Sequence, residues 1–268
     1  MYDPKLRKEA KHIAKVRFAE RFVQPMAAVL IYALPVIAAA LLLESFALTT
    51  SLPAMLPPAG LYVLVQIFVA GPLFFGLMRY CIDRLHGGPM GVMDLFASFG
   101  DGKQYLRGVK AYLCVIVRAI PWMIPPLAIL FGYTFVRLWR DPTIMESAEA
   151  VSQLAGEISL LSLVVMIPFA ARVLRYLAAY ILMVRDPSLG AWKATGQAAR
   201  LFKGRWFELT VFFASFVGWQ VFGMYTLGIG MLFYAAYLLM AFVWYAERVM
   251  DGVYDPPLTP DAEHQPPL

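Results

Sequence analysis

Three arginines stand inside long apolar stretches of this chain, and they are the residues whose type and spacing carry the most chemistry: Arg118, Arg172 and Arg175. An ionisable group at membrane depth is costly and marks a ligand, ion or proton site by default. Arg172 and Arg175, three residues apart, share one face of a helix. If their apolar runs are membrane spans covering 109–138 and 158–184, Arg118 and Arg175 each lie nine residues from a cytoplasmic end. At the helical rise that is roughly 13–14 Å deep, with Arg172 one turn deeper. No carboxylate accompanies them in the sequence. Glu44 and Glu157 fall toward the opposite ends of their runs, and Glu208 at the near end of its own. Such a basic cluster is neutralised by an anion, such as a lipid phosphate held by guanidinium forks. Backbone carbonyls freed by Pro121, Pro125, Pro126 and Pro168 are a second means. The blander alternative is snorkelling of the three side chains toward the interface, with local thinning of the bilayer.

Other chemistry finds no pattern here. His12, His86 and His264 occupy three separate polar segments, and Cys81 and Cys114 are too few for a disulfide framework or a thiolate metal site. No HExxH, CxxC, paired-carboxylate or phosphate-loop spacing occurs; the GDGK at 100–103 lacks both the spacing and the preceding strand of a phosphate loop. The expectation is a protein that is not an enzyme, with no catalytic residue, no metal and no cofactor. Each cysteine reads as a small buried side chain.

The elements that must position the arginines follow from composition. Of 268 residues 60% are hydrophobic and only 15% charged, against about 25% charged in a soluble domain. The mean hydropathy is +0.64. A hydrocarbon core of about 30 Å takes about 20 apolar residues of helix. Runs at 25–47, 60–82, 109–138 and 158–184 meet that length, and the longer run from 207 divides at the turn-like TLGIG of 226–230 into 207–225 and 231–248. The charge pattern orients these six spans. Seven basic residues precede the first span, five follow the second, five follow the fourth, and Arg248 ends the sixth; the other side has only Arg137 and Arg140. By the positive-inside rule both ends are cytoplasmic. The net charge of +5 is thus spread over loops, which argues against a nucleic-acid partner. The first run is too long for a signal-peptide core and reads as an uncleaved span.

The basic segments 6–22, 92–107 and 189–202 each read as an amphipathic cytoplasmic helix leading into a hairpin of two spans. Their apolar residues include Leu95, Phe96 and Phe99 in the second and Trp192, Ala199 and Phe202 in the third. Helices of this kind lie in the headgroup layer and favour anionic lipid; ordinary solvated loops are the alternative. The fold expected is all-α: one membrane domain, 1–249, of three such units, followed by a disordered Pro-rich tail, 250–268. Pro35, Pro72, Pro121 and Pro168 suggest kinks, and Gly71, Gly76, Gly218 and Gly223 suggest close helix packing.

Residues 176–247 also carry a resemblance. Asp186-Pro187 precedes the third amphipathic segment, which ends in Lys203-Gly204-Arg205. Ser215-Phe216-Val217-Gly218-Trp219 follows, then Gly228-Ile229-Gly230 and the tyrosines Tyr234 and Tyr237; upstream, GPLFFGLMRYCIDRLHGG from 71 and DLFASF from 94 fit as well. This pattern resembles a bacterial family of six-span membrane proteins catalogued as a domain of unknown function, the 975 type. It is also similar to YciC-like proteins and to the membrane domain of some glycerophosphodiester phosphodiesterases. The family commonly has Ser where Thr195 or Gln197 stands and Met where Phe202 stands. The resemblance implies a bacterial inner-membrane location and the same topology, and transfers no catalytic residue. The function expected is non-enzymatic work in envelope or lipid homeostasis with anionic-lipid contacts. A transporter or channel for a small anion or a lipid-like substrate is the alternative. Protein partners and oligomeric state stay open.

Overall fold

The computed structural model describes residues 4–47, 56–216, 218, 219, 223, 226 and 229–254, and among these the chain is all-α, with no strand. Helix α1 (Pro4–Glu20) leads into α2 (Val23–Ala47). Helix α3 (Leu56–Val65) passes through a π-helical turn, Gln66–Ala70, into α4 (Gly71–Leu85). A 3₁₀ turn, Val92–Phe96, and the short α5 (Ala97–Gly100) precede the long α6 (Gly102–Arg140). Helix α7 (Ala148–Leu174) tightens into a 3₁₀ turn, Arg175–Leu177, and continues as α8 (Ala178–Arg185). Helices α9 (Ala191–Leu201), α10 (Trp206–Ala214) and α11 (Ile229–Tyr254) complete the described chain.

Five helical stretches are long and apolar enough to cross a membrane: Val23–Phe46, Leu56–Leu85, Gly102–Arg140, Ala148–Met166 and Gly230–Gly252. Of the expected span at 207–225, the first eight residues belong to the nine-residue α10, about 13 Å long at the helical rise, and 218, 219 and 223 are the further residues described as helical. Helix α10 ends where the Ser215 hydroxyl bonds back to the Phe212 carbonyl at 2.5 Å, a local bond that competes with the helical ladder. Most of 217–228 lies outside the described residues, as does the Pro-rich tail beyond 254; α11 itself runs five residues past the expected domain end at 249.

Two expected boundaries change for local reasons. Residues 92–107 do not form one amphipathic helix. The carboxylate of Asp101 accepts the Lys103 N–H at 2.9 Å and caps a new helix, as N-cap aspartates do. The last six residues of that segment are therefore the start of α6, which has 39 residues. The expected span 158–184 is likewise an α-helix that tightens at Arg175.

The core lies where α4, α8 and α11 meet, filled by Tyr80, Tyr180, Tyr245, Phe202, Phe212 and Phe242. Helix α1 packs on α11. Its apolar face of Ala10, Ala14 and Phe18 is buried there, with Phe18 and Phe233 rings 4.7 Å apart. The Lys11 ammonium reaches across to the Ser215 carbonyl at 3.2 Å and the face of Phe216 at 4.3 Å. Helix α6 leans on the π turn of α3–α4. Pro72 has no N–H to give the Phe68 carbonyl, and the Tyr105 hydroxyl donates to it instead at 3.1 Å. The Tyr112 hydroxyl donates to Gln66 Oε1 at 2.9 Å. At the far end of the α6–α7 hairpin, Arg137 forks onto Glu157 through two 3.1 Å bonds, and Tyr133 adds a third at 2.7 Å.

Candidate functional site

The three arginines are held on aromatic faces. Trp122 follows Arg118 by four residues, one turn along α6. Its indole ring receives both α7 arginines, with Arg172 at 4.7 Å and Arg175 at 5.1 Å from the ring centroid. Arg172 also meets the ring of Trp206, from α10, at 5.2 Å. Arg175 stacks on Tyr176 at 4.8 Å and donates to a hydroxyl of that residue at 2.9 Å. The Trp122 indole N–H donates to the same hydroxyl at 3.2 Å. Tyr176, buried at the 3₁₀ turn, thus ties α6 to α7. Arg118 lies over Trp192, from α9, at 4.1 Å and donates to its backbone carbonyl at 3.2 Å. The structure therefore brings Arg172 and Arg175 together on one indole and places Arg118 on a second one.

Such cation–π contacts contribute about 0.5–2 kcal/mol each, more where water is excluded. They engage the face of a guanidinium. Its N–H groups lie in the plane and point outward from the edge, where carboxylates and phosphates bind in a fork. Among the described residues no carboxylate forms an ion pair with Arg118, Arg172 or Arg175. Arg172 has no hydrogen-bond acceptor there at all. The Nε atoms of Arg118 and Arg175 are buried without an acceptor.

Trp192 also lines a cleft of about 720 Å³. It is bounded by α6 at Lys110, Leu113 and Cys114, by the loop at Ser188–Gly190, and by the first turn of α9, where Trp192 and Lys193 stand. The loop is shaped by Asp186, whose Oδ1 accepts from the Ser188 backbone N–H at 2.8 Å and from the Ser188 hydroxyl at 2.7 Å. Those bonds, the hydroxyl's first, hold the Asp186 carboxyl below the usual carboxylate range. Arg107 donates to the Met183 and Asp186 carbonyls at 2.9 and 3.2 Å, closing the end of α8. The chain thus turns sharply out of α8 and delivers α9 against α6.

A family model described as a protein of unknown function, DUF975, matches residues 1–251. The chain belongs to the DUF975 family. The matched stretch in this DUF975 protein holds every arginine and tryptophan of the site, and the Asp186–Pro187 turn with it. It stops close to the end of α11. No curated protein and no solved structure matches the chain, so nothing there adds to the likeness to YciC-like proteins or phosphodiesterase membrane domains.

Sequence reasoning missed the aromatic partners. Arg175 adjoins Tyr176, so that pair had a spacing signal, whereas Trp122 receives its two arginines from another helix. Trp192 and Trp206 come from other helices and had none. It also missed a charged cluster on the ends of α4, α8 and α11. There Glu247, 4% exposed, is paired with Arg185 at 3.0 Å and His86 at 3.1 Å, while Arg185 also pairs with Asp251 at 2.8 Å. Among the described residues no group of three or more His, Cys, Asp or Glu could hold a metal ion.

Proposed function

We propose that this DUF975 protein is a non-enzymatic integral membrane protein of the bacterial inner membrane that binds anionic lipid, serving envelope or lipid homeostasis. Its six spans form three hairpins, with α10 and the residues after it supplying the fifth, and both termini are cytoplasmic. The five apolar helices and the one-sided basic residues support this topology. The exposed Ile124, Phe131, Phe135, Leu160 and Val164 of the α6–α7 hairpin suit contact with acyl chains.

One observation carries the lipid reading. The Arg172 guanidinium lies against two indoles in an apolar segment and has no acceptor for its N–H groups among the described residues. A phosphate supplies two oxygens in the plane of that fork, which the indoles leave uncovered.

Arg172→Leu and the pair Arg118→Leu/Arg175→Leu test this. The full-length protein is purified in detergent, and bound lipid is read by native mass spectrometry. The wild type should retain phosphatidylglycerol over phosphatidylcholine, and each variant should lose about tenfold of that preference, the size of one charge-assisted bond. If lipid preference and thermal stability are both unchanged, the arginines have no such role.

A further inference from the structure

We propose that the cleft between α6 and the start of α9 is a phospholipid site, in which Lys110 and Lys193 hold the headgroup phosphate and α6 guides an acyl chain. The proposal rests on the anionic-lipid reading above and gives it a second, separate location.

The charges come first. Lys110 of α6 and Lys193 of α9 line the same 720 Å³ cleft, and none of the residues lining it is acidic. The nearest carboxylate in the loop, Asp186, is already engaged by both donors of Ser188. Both lysines are exposed, so neither is committed to the core. The cap residue of α9, Gly190, brings no side chain to the first-turn N–H groups, and the positive end of the helix adds to the potential of the two ammonium groups. A volume of this size is that of a small-molecule site, larger than a bare phosphate requires.

The walls then choose between a soluble phosphate and a lipid. Leu113, Leu189 and Trp192 give the cleft an apolar part of its lining, and Trp192 is 57% exposed. From Leu113 an exposed stripe continues along α6 through Val117, Ile120 and Ile124, spaced by three or four residues and therefore on one face. The stripe begins at the cleft and leads away from Lys110, toward the level of Arg118 and beyond. A diacyl phosphate has this pattern of needs: cations at one end and a continuous apolar track from the same point. Arg118 acts here as a positioning residue. It stacks on Trp192 at 4.1 Å and bonds its carbonyl at 3.2 Å, fixing the wall on which the chain would lie.

The test uses the full-length protein in detergent, titrated with phosphatidylglycerol, phosphatidylcholine, glycerol 3-phosphate and inorganic phosphate, with native mass spectrometry as the readout. Lys110→Gln/Lys193→Gln should weaken phosphatidylglycerol binding by about tenfold or more while sparing phosphatidylcholine. Lys110→Arg/Lys193→Arg should keep it, which separates loss of charge from misfolding. Millimolar glycerol 3-phosphate or inorganic phosphate should not displace the lipid. Displacement by either would overturn the lipid assignment in favour of a soluble phosphate. If the glutamine pair binds like the wild type while Arg172→Leu does not, the cleft proposal fails and the wider lipid reading stands. If the wild type does not distinguish the two lipids, both fail.

Discussion

At the scale of single residues the decisive feature is a guanidinium stacked on indole with its edge uncovered. Trp122 is the common support of Arg172 and Arg175. Trp122→Leu removes both stacks and the bond to Tyr176 and should lower stability by about 2 kcal/mol, read as a shift in thermal unfolding in detergent. Trp122→Phe keeps a ring face and should recover part of that loss. Arg185→Leu strands the buried Glu247 carboxylate with His86 alone. Removing one partner of a fully buried pair costs about 3–5 kcal/mol; the partly solvated Arg185 brings the expected loss to about 2 kcal/mol. Lys11 gives a pH test. Burial, and then the nearby Arg7, hold its ammonium below the ordinary value of 10.5. The unfolded chain therefore holds this proton to higher pH than the folded one. Stability should rise with pH between the lowered value and 10.5. Chemical denaturation across that window should show the rise in the wild type and not in Lys11→Met. Of these features, only the arginines were legible in the sequence, because an ionisable residue in an apolar run stands out alone. Trp206 and Glu247 gain their roles from helices remote in sequence, which no spacing rule reaches.

At the scale of elements the close approach of α4 to its neighbours depends on absent side chains. A Cβ at Gly76 would fall on the Leu95 carbonyl, and one at Gly108 would sit 2.8 Å from Pro72 Cα. Both clashes are with backbone, which cannot swing aside. Gly76→Ala and Gly108→Ala should each cost about 1–3 kcal/mol. Gly132→Ala has nothing within 4 Å of the added carbon and should be neutral or stabilising by up to about 1 kcal/mol; unfolding of the three variants side by side checks the contrast. Gly71 and Gly76 were legible as packing glycines because they lie in an apolar run. Gly108 was not, because Asp101 caps α6 earlier than hydropathy alone places its start. Gly218 had the same apparent signal, and among the described residues nothing lies within 4 Å of an added Cβ. Where the short basic helices α1 and α9 pack was not legible in the sequence. Ala10, Ala14 and Phe18 of α1 and Ala194 and Ala198 of α9 are buried within the protein, leaving residues such as Trp192 for the outside.

At the scale of the whole molecule, hydropathy made the five helices that are long and apolar enough to cross a membrane legible, since each needs only its own length and composition. The expected fifth span was harder, because α10 ends at a serine that bonds its own helix, with a lysine from α1 on the serine's carbonyl. Topology can be read with single cysteines in a chain whose Cys81 and Cys114 are replaced. Lys103→Cys and Arg200→Cys should label only from the cytoplasmic side, and Arg140→Cys only from the outer side. Labelling of Arg140→Cys and Arg200→Cys from the same side would remove the hairpin order on which the lipid reading rests. That reading places the headgroup of an anionic lipid at Arg172, beside Trp122 and Trp206. Quenching of tryptophan fluorescence by brominated lipids, in full-length protein reconstituted into bilayers, tests it most directly. Brominated phosphatidylglycerol should quench more strongly than brominated phosphatidylcholine at equal mole fraction, and in a Trp192→Phe background Arg172→Leu should abolish the difference. Equal quenching by the two lipids in the wild type would contradict the account.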